Sequence, residues 1–232
     1  DVVGAHNWEL EIVEGRTGGA RFEIRNCMMA TEPDRTRTLG ESHEIEANAD
    51  VGGIKTTGTA VEDEATGVWT VRGAGDDLFR EANEFHFAYA TVEGPVRIEA
   101  RVPEIEPVNP FSKAGVMVRD GLGDDASHAY VGRTVDRGPE VSWRSEQGAH
   151  SVTQQLRART ERATWVRLDR EGDRVTCSIS EHGEDWSVVD QRHVALGDPV
   201  AIGLVVCSVV PRALCTATFD SVSIRSLSST AD

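Results

Sequence analysis

Lys113-Ala114-Gly115-Val116-Met117-Val118-Arg119 is the stretch whose reading decides the fold. Ala114, Val116 and Val118 alternate with Lys113, Gly115, Met117 and Arg119, a period of two that belongs to a β-strand with its apolar set against a core. Asp120-Gly121 follows as a turn signal. Outward from it, similar short runs recur in both directions: Val68–Arg72, Phe85–Val92, Val96–Val102, Ala129–Val135, Glu140–Arg144, Ser151–Leu156, Thr164–Asp169, Val175–Ser180, Trp186–Val189, Ala201–Cys207 and Cys215–Ile224. Between them stand Glu93-Gly94-Pro95, Arg137-Gly138-Pro139, Gln147-Gly148, Glu171-Gly172-Asp173 and His182-Gly183, all turn chemistry. Helical crossovers are missing, so parallel sheets are excluded and an all-β, two-sheet antiparallel sandwich is predicted.

The first fifty residues have a different texture. Trp8-Glu9-Leu10-Glu11-Ile12 and Phe22-Glu23-Ile24 alternate around Gly15-Arg16-Thr17-Gly18-Gly19 and predict a hairpin; a shorter alternating piece lies at His43-Glu44-Ile45-Glu46. Composition restricts partners. The 232 residues carry 39 acidic and 24 basic side chains, a net charge of -15 whose field repels nucleic acid. Only Lys55 and Lys113 are lysines, the other basic residues being arginine, a usage that points to a salt-loving archaeon. At molar salt the Debye length is about 3 Å, so crowded carboxylates are screened and folding is expected to improve with salt. No apolar run approaches the length of a membrane-spanning helix, and membrane insertion is not expected. The chain begins at Asp1 rather than Met and reads as a processed product, a trimmed chain or an excised domain. Cys27, Cys177, Cys207 and Cys215 match no zinc spacing. Cys207 and Cys215 flank Pro211-Arg212 symmetrically, where they either face each other across a hairpin as a disulfide or remain buried thiols.

A series of motifs in fixed order carries a family resemblance. It comprises Gly73-Ala74-Gly75-Asp76-Asp77 leading into Asn83-Glu84-Phe85-His86-Phe87, the Lys113–Arg119 strand, Val141-Ser142-Trp143-Arg144, Trp165-Val166-Arg167-Leu168, Ser180 to Trp186, and Ala217-Thr218-Phe219-Asp220-Ser221-Val222-Ser223. In this order residues 50–226 resemble the concanavalin A-like lectin/glucanase domains (jelly rolls) of secreted proteins, often appended to glycoside hydrolases. The resemblance implies two stacked sheets with a concave face used for glycans in many relatives, an extracellular or cell-surface location, and a hydrolase domain as a neighbour. Residues 1–49 fall outside it as an N-terminal extension, and 227–232 form a tail.

The chemistry is sought on that face. The E-x-D-x-x-E pattern, which would set two carboxylates about 5–5.5 Å apart for retaining glycosidase chemistry, is absent. By alternation Arg119 shares a face with Lys113, Arg144 with Glu140 and Ser142, and His128 with Tyr130; together with His86 these are the candidate ligand-binding residues His86, Arg119, His128, Tyr130 and Arg144. Guanidinium and imidazole donors suit sugar hydroxyls or carboxylates, and an aromatic ring covers a pyranose face. The predicted function is therefore a non-catalytic polysaccharide-binding module. The alternatives are a lyase or hydrolase using the same residues as base and charge neutraliser, and a structural or protein-interaction module. Asp76, Asp77, Asp124 and Asp125 offer oxygens near strand ends and are the candidates for structural calcium, although no D-x-[DN]-x-[DN]-G loop is present. Ser180 to Trp186 is similar to the Asp-box turn of sialidases, with His182 where that turn has aspartate, and a hairpin-stapling role is expected of it.

Overall fold

The computed structural model describes residues 10–14, 20–24, 38–156 and 164–228. The chain divides between Thr36 and Arg37 into two units. In the first, β1 (Leu10–Glu14) pairs antiparallel with β2 (Ala20–Ile24), Leu10 opposite Ile24, which is the predicted hairpin; its turn at 15–19 and Cys27 lie outside the described residues.

The second unit is a sandwich of two antiparallel sheets. In the eight-stranded sheet the order is β15 (Ser187–His193), β14 (Arg174–Ser180), β13 (Trp165–Glu171), β8 (Val96–Ile105), β17 (Val210–Ser228), β6 (Val68–Gly75) and β5 (Thr59–Asp63), with β3 (Thr38–His43) on the far part of β17. The seven-stranded sheet runs β12 (Val152–Gln155), β11 (Gly138–Arg144), β10 (His128–Thr134), β9 (Lys113–Arg119), β16 (Val200–Cys207), β7 (Phe85–Val92) and β4 (Ala47–Val51). Ala114, Val116 and Val118 enter the core between the sheets beside Val131, Val141, Ile202 and Leu204, opposite Ile98, Val166, Leu168 and Phe219. The period of two read from the sequence thus places them as predicted. Burying such side chains contributes roughly 1.5–3 kcal/mol each.

One boundary differs from expectation. β3 and β4 belong to the sandwich, so the extension ends before residue 38 rather than at 49; both are edge strands, where main-chain pairing to β17 and β7 suffices without a strong apolar alternation. His43–Glu46 is accordingly a junction between two strands. β5, with four of five residues exposed, is also an edge strand and gave no pattern to read.

Cys207 and Cys215 do not face each other. The chain around Pro211 passes from one sheet to the other, so Cys207 lies on the outer side of the seven-stranded sheet and Cys215 in the core between the sheets, and both are free thiols. Burial raises them to about 12 and about 11, which keeps them protonated and unreactive. The Ser180–Trp186 turn staples β14 to β15 as expected. Ser180 Oγ accepts from the Gly183 amide (3.0 Å), the Trp186 indole N–H donates to the Gly183 carbonyl (3.0 Å), and Arg167 stacks 3.9 Å from the Trp186 ring centre.

Candidate functional site

The side of the seven-stranded sheet turned away from the core carries the chemistry. Register across β9, β10 and β11 builds it in rows: Arg119, His128 and Arg144 form one; Met117, Tyr130 and Ser142 the next; Gly115, Gly132 and Glu140 the third; Lys113 and Thr134 the last. Four of the five predicted ligand residues therefore share one face. His86 does not. On β7 it alternates with Phe85 and Phe87, so its ring points to the opposite side, where Nδ1 meets Asp50 Oδ1 at 2.8 Å.

The face is covered by its own chain. Leu78, from the connection between β6 and β7, is completely buried against Phe85, Phe87, Met117, Tyr130 and Val205. Its carbonyl accepts from Ser142 Oγ (3.2 Å), and Arg80 bridges to Ser151 beside β12. Arg119, His128, Tyr130 and Arg144 are all 0% exposed, where the sequence predicted an open surface. An apolar plug such as Leu78, flanked by charges, gave no sign of this in the sequence.

At one end of the face sit the cations. Arg144 donates from Nε to the Ala149 carbonyl (2.8 Å), from Nη1 to Asn83 Oδ1 (3.1 Å) and the carbonyls of Asp124 (2.9 Å) and Ala126 (3.0 Å), and from Nη2 to the Arg80 carbonyl (3.0 Å). It ties the connections 76–84, 120–127 and 145–151 together. Arg119 donates from Nη2 to the Gly123 carbonyl and lies 5.1 Å from the Phe85 ring centre, but its Nε and Nη1 have no partner. His128 Nδ1 is 3.3 Å from the Ala126 carbonyl, which assigns the proton to Nδ1 and leaves Nε2 unpartnered. Burial, then Arg119 and also Arg144, holds this imidazole down at about 3, so it is neutral at pH 7. Burial, then Arg144, lowers Arg119 to about 10.

At the other end the charges are paired. Lys113 Nζ lies 2.7 Å from Asp77 Oδ1 and 2.9 Å from Glu140 Oε1, and Gln155 Nε2 donates to Glu140 Oε2. Burial alone would pull the Lys113 ammonium down; Glu140 and Asp77 together push it above its ordinary range. Burial raises Glu140 against the opposing pull of Lys113. Lys113 and Glu140 are buried, whereas Gln155 and part of Asp77 reach solvent. Tyr130 lies across the two glycines of the next row: a Cβ at Gly115 would stand 2.9 Å from its ring and one at Gly132 2.0 Å from its hydroxyl. Those glycines admit the ring, and the hydroxyl it delivers has no partner. Sequence reasoning placed Lys113 and Glu140 on this face but missed their pairing. The available signal was that Lys113 is one of only two lysines.

The four aspartates do not make a cation cage. Asp77 is taken by Lys113 and by the Leu78 amide, Asp124 offers its carbonyl to Asn83 and Arg144, Asp125 accepts from Gln147, and the Asp76 amide donates to Glu84. Among the described residues no three metal-ligating side chains gather. The four carboxylates are thus not brought into one set. A groove of about 660 Å³ opens elsewhere, between Pro103–Pro107, Thr216, Thr218 and Arg133, and none of the predicted site residues lines it.

Residues 55–227 match DUF1349, a family described as a protein of unknown function. The chain belongs to that family. No curated protein matches it by sequence. Among solved structures this DUF1349 protein is similar to a functionally unknown protein from Saccharomyces cerevisiae, with 18% identity over 78% of this chain and 97% of that one and a TM-score of 0.59. It is also similar to the κ-carrageenase of Pseudoalteromonas carrageenovora, solved with an oligotetrasaccharide of κ-carrageenan (10% identity, 87% and 100% covered, TM-score 0.51). A weaker likeness joins it to the xylan β-1,4-xylosidase of Bacillus halodurans (12% identity, 93% and 46% covered, TM-score 0.48). At these identities the first two likenesses show the jelly-roll sandwich fold and nothing finer.

Proposed function

We propose that this chain binds a polysaccharide without transforming it, at the Lys113–Glu140 end of the outer face, outside the cell or on its surface. The observation that carries this reading is the hydrogen-bond chain from the buried Lys113–Glu140 pair out to Gln155 and Asp77 at the solvent edge. Two residues beyond Asp77 stands Phe79, 47% exposed. A sugar presents hydroxyls that both donate and accept, which suits a carboxylate and an amide at an edge, and an apolar C–H face, which suits an exposed ring. The Tyr130 hydroxyl close to Glu140 has no hydrogen-bond partner, which costs the ligand-free fold on the order of 1 kcal/mol and leaves a polar group on this face for a ligand to satisfy. The fold shared with a carrageenase is consistent with this partner.

A glycan array followed by titration calorimetry tests it. Phe79→Ala and Gln155→Ala are expected to weaken binding at least tenfold with an unchanged circular dichroism spectrum. An array without a hit, or variants that bind like the parent, overturns the proposal and leaves the structural-module reading. Reducing-end and unsaturated-product assays on alginate, pectin and β-glucan are expected to show no turnover. Sustained turnover abolished by Glu140→Gln would make the protein an enzyme instead.

A further inference from the structure

The cations on the outer faces of β9, β10 and β11 are closed to a ligand. Arg119 and Arg144 are 0% exposed, and His128 is buried and neutral. Lys113, 3% exposed, already holds Asp77 Oδ1 at 2.7 Å and Glu140 Oε1 at 2.9 Å. What reaches solvent at the Lys113 edge consists chiefly of hydrogen-bond acceptors. Asp77 Oδ1 is taken by Lys113 and by the Leu78 amide, which leaves Oδ2 open in a side chain 32% exposed. Gln155, exposed, spends one N–H on Glu140 Oε2 and keeps its amide oxygen. Thr153 donates its hydroxyl proton to Ser142 Oγ (3.3 Å) and keeps its lone pairs. The covering connection 76–84 is negative as well, with Asp76, Asp77, Glu81 and Glu84 against Arg80 alone.

We infer that the polysaccharide taken at this edge is an uncharged one and that chains bearing uronate or sulfate are refused, an inference that rests on the binding proposed above. Hydroxyls of a neutral sugar donate to Asp77 Oδ2 and the Gln155 amide oxygen while a C–H face lies on the exposed Phe79 ring. A carboxylate or sulfate would bring only acceptors and negative charge to the same atoms, which like-charge contact makes costly. The net charge of -15 adds repulsion at longer range. Arg80 is outnumbered by the four carboxylates of its own connection. A cationic sugar gains little, because Asp77 already faces the Lys113 ammonium at 2.7 Å.

The test titrates the unaltered chain by calorimetry with neutral chains (β-glucan, xylan), uronate chains (alginate, pectate) and cationic chitosan, at low and at molar sodium chloride. The best neutral chain is expected to bind at least about tenfold more tightly than either uronate chain at low salt. Its affinity is expected to change by less than about twofold with salt, since no ion pair with the ligand is screened. Asp76→Asn combined with Glu81→Gln, both exposed side chains, is expected to narrow the gap by strengthening uronate binding while the neutral affinity stays as in the parent. Uronate chains or chitosan that bind as tightly as the neutral ones, or a double variant with the parent's ratio, overturn the inference; where Gln155→Ala still weakens binding, the edge site itself stands. Absence of binding by every chain, or binding that Gln155→Ala leaves unchanged, overturns the edge site together with the inference.

Discussion

At the Lys113 end of the outer face the buried ammonium has two carboxylate oxygens at 2.7 and 2.9 Å; at the Arg119 end two buried guanidinium groups have five carbonyl or amide acceptors for one and a single carbonyl for the other. Both lie on strands β9 to β11, three rows apart, so local backbone does not distinguish them. What differs is the covering chain. Over the Lys113 end the connection from β6 delivers a carboxylate, Asp77, and leaves an edge open. Over the Arg119 end the connections deliver main-chain carbonyls, held by Arg144, and close. One end is built around ion pairing with solvent access and the other around loop anchoring.

The comparison can be broken most sharply at Lys113. Lys113→Met leaves Glu140 buried without its counter-charge and is expected to cost about 3–5 kcal/mol in urea unfolding, while Lys113→Met combined with Glu140→Leu recovers most of it. Equal losses in the single and double variants would show that the two do not act as a pair. Arg144→Ala, at the other end, removes the donors of five acceptors and is expected to cost on the order of 3 kcal/mol or more, at about 1–3 kcal/mol per stranded acceptor that water does not reach. Hydrogen exchange should then quicken first in residues 120–127 and 145–151. Uniform quickening across the sandwich would contradict an anchoring role.

The third test uses acid. Burial, and then Arg119 and Arg144, lowers His128 from 6.5 in the unfolded chain to about 3 in the folded one, so its contribution is complete above pH 6.5 and is lost as pH falls from there toward 3. Between pH 6 and 5 the parent should lose up to about 1.4 kcal/mol per pH unit more than His128→Gln does. Parallel curves would place a proton-accepting partner beside the ring. The smallest effect belongs to Tyr130→Phe, which deletes a hydroxyl without a partner and is expected to be neutral or to gain up to about 1 kcal/mol; a clear loss would reveal a hydrogen bond through water.

Much of this was legible before the structure. The alternation in Lys113–Arg119 set the faces of β9, and turn chemistry located its neighbours, so the sheets and the cofacial row of Arg119, His128 and Arg144 could be anticipated. His86 was misassigned because β7 is buried on both sides: Phe85 and Phe87 face outward while Ala88 and Ala90 face the core, and a strand apolar on both faces gives no alternation to read. The covering of the face was not legible either. Leu78 in a loop between charges looks like any surface residue until its neighbours across four strands are known. The Lys113–Glu140 pair depends on register across three strands, which pattern within a single strand does not supply.

The glycan is proposed to enter at the Lys113 edge and not through the Arg119 row. A two-dimensional NMR titration with the best glycan from the array tests it most directly. Amide shifts are expected at Asp77 to Phe79, Glu140 and Thr153 to Gln155, with the signals of Arg119, Gly123 and Arg144 unmoved. Shifts concentrated on Arg119, Gly123 and Arg144, or none on this sheet at all, would contradict it.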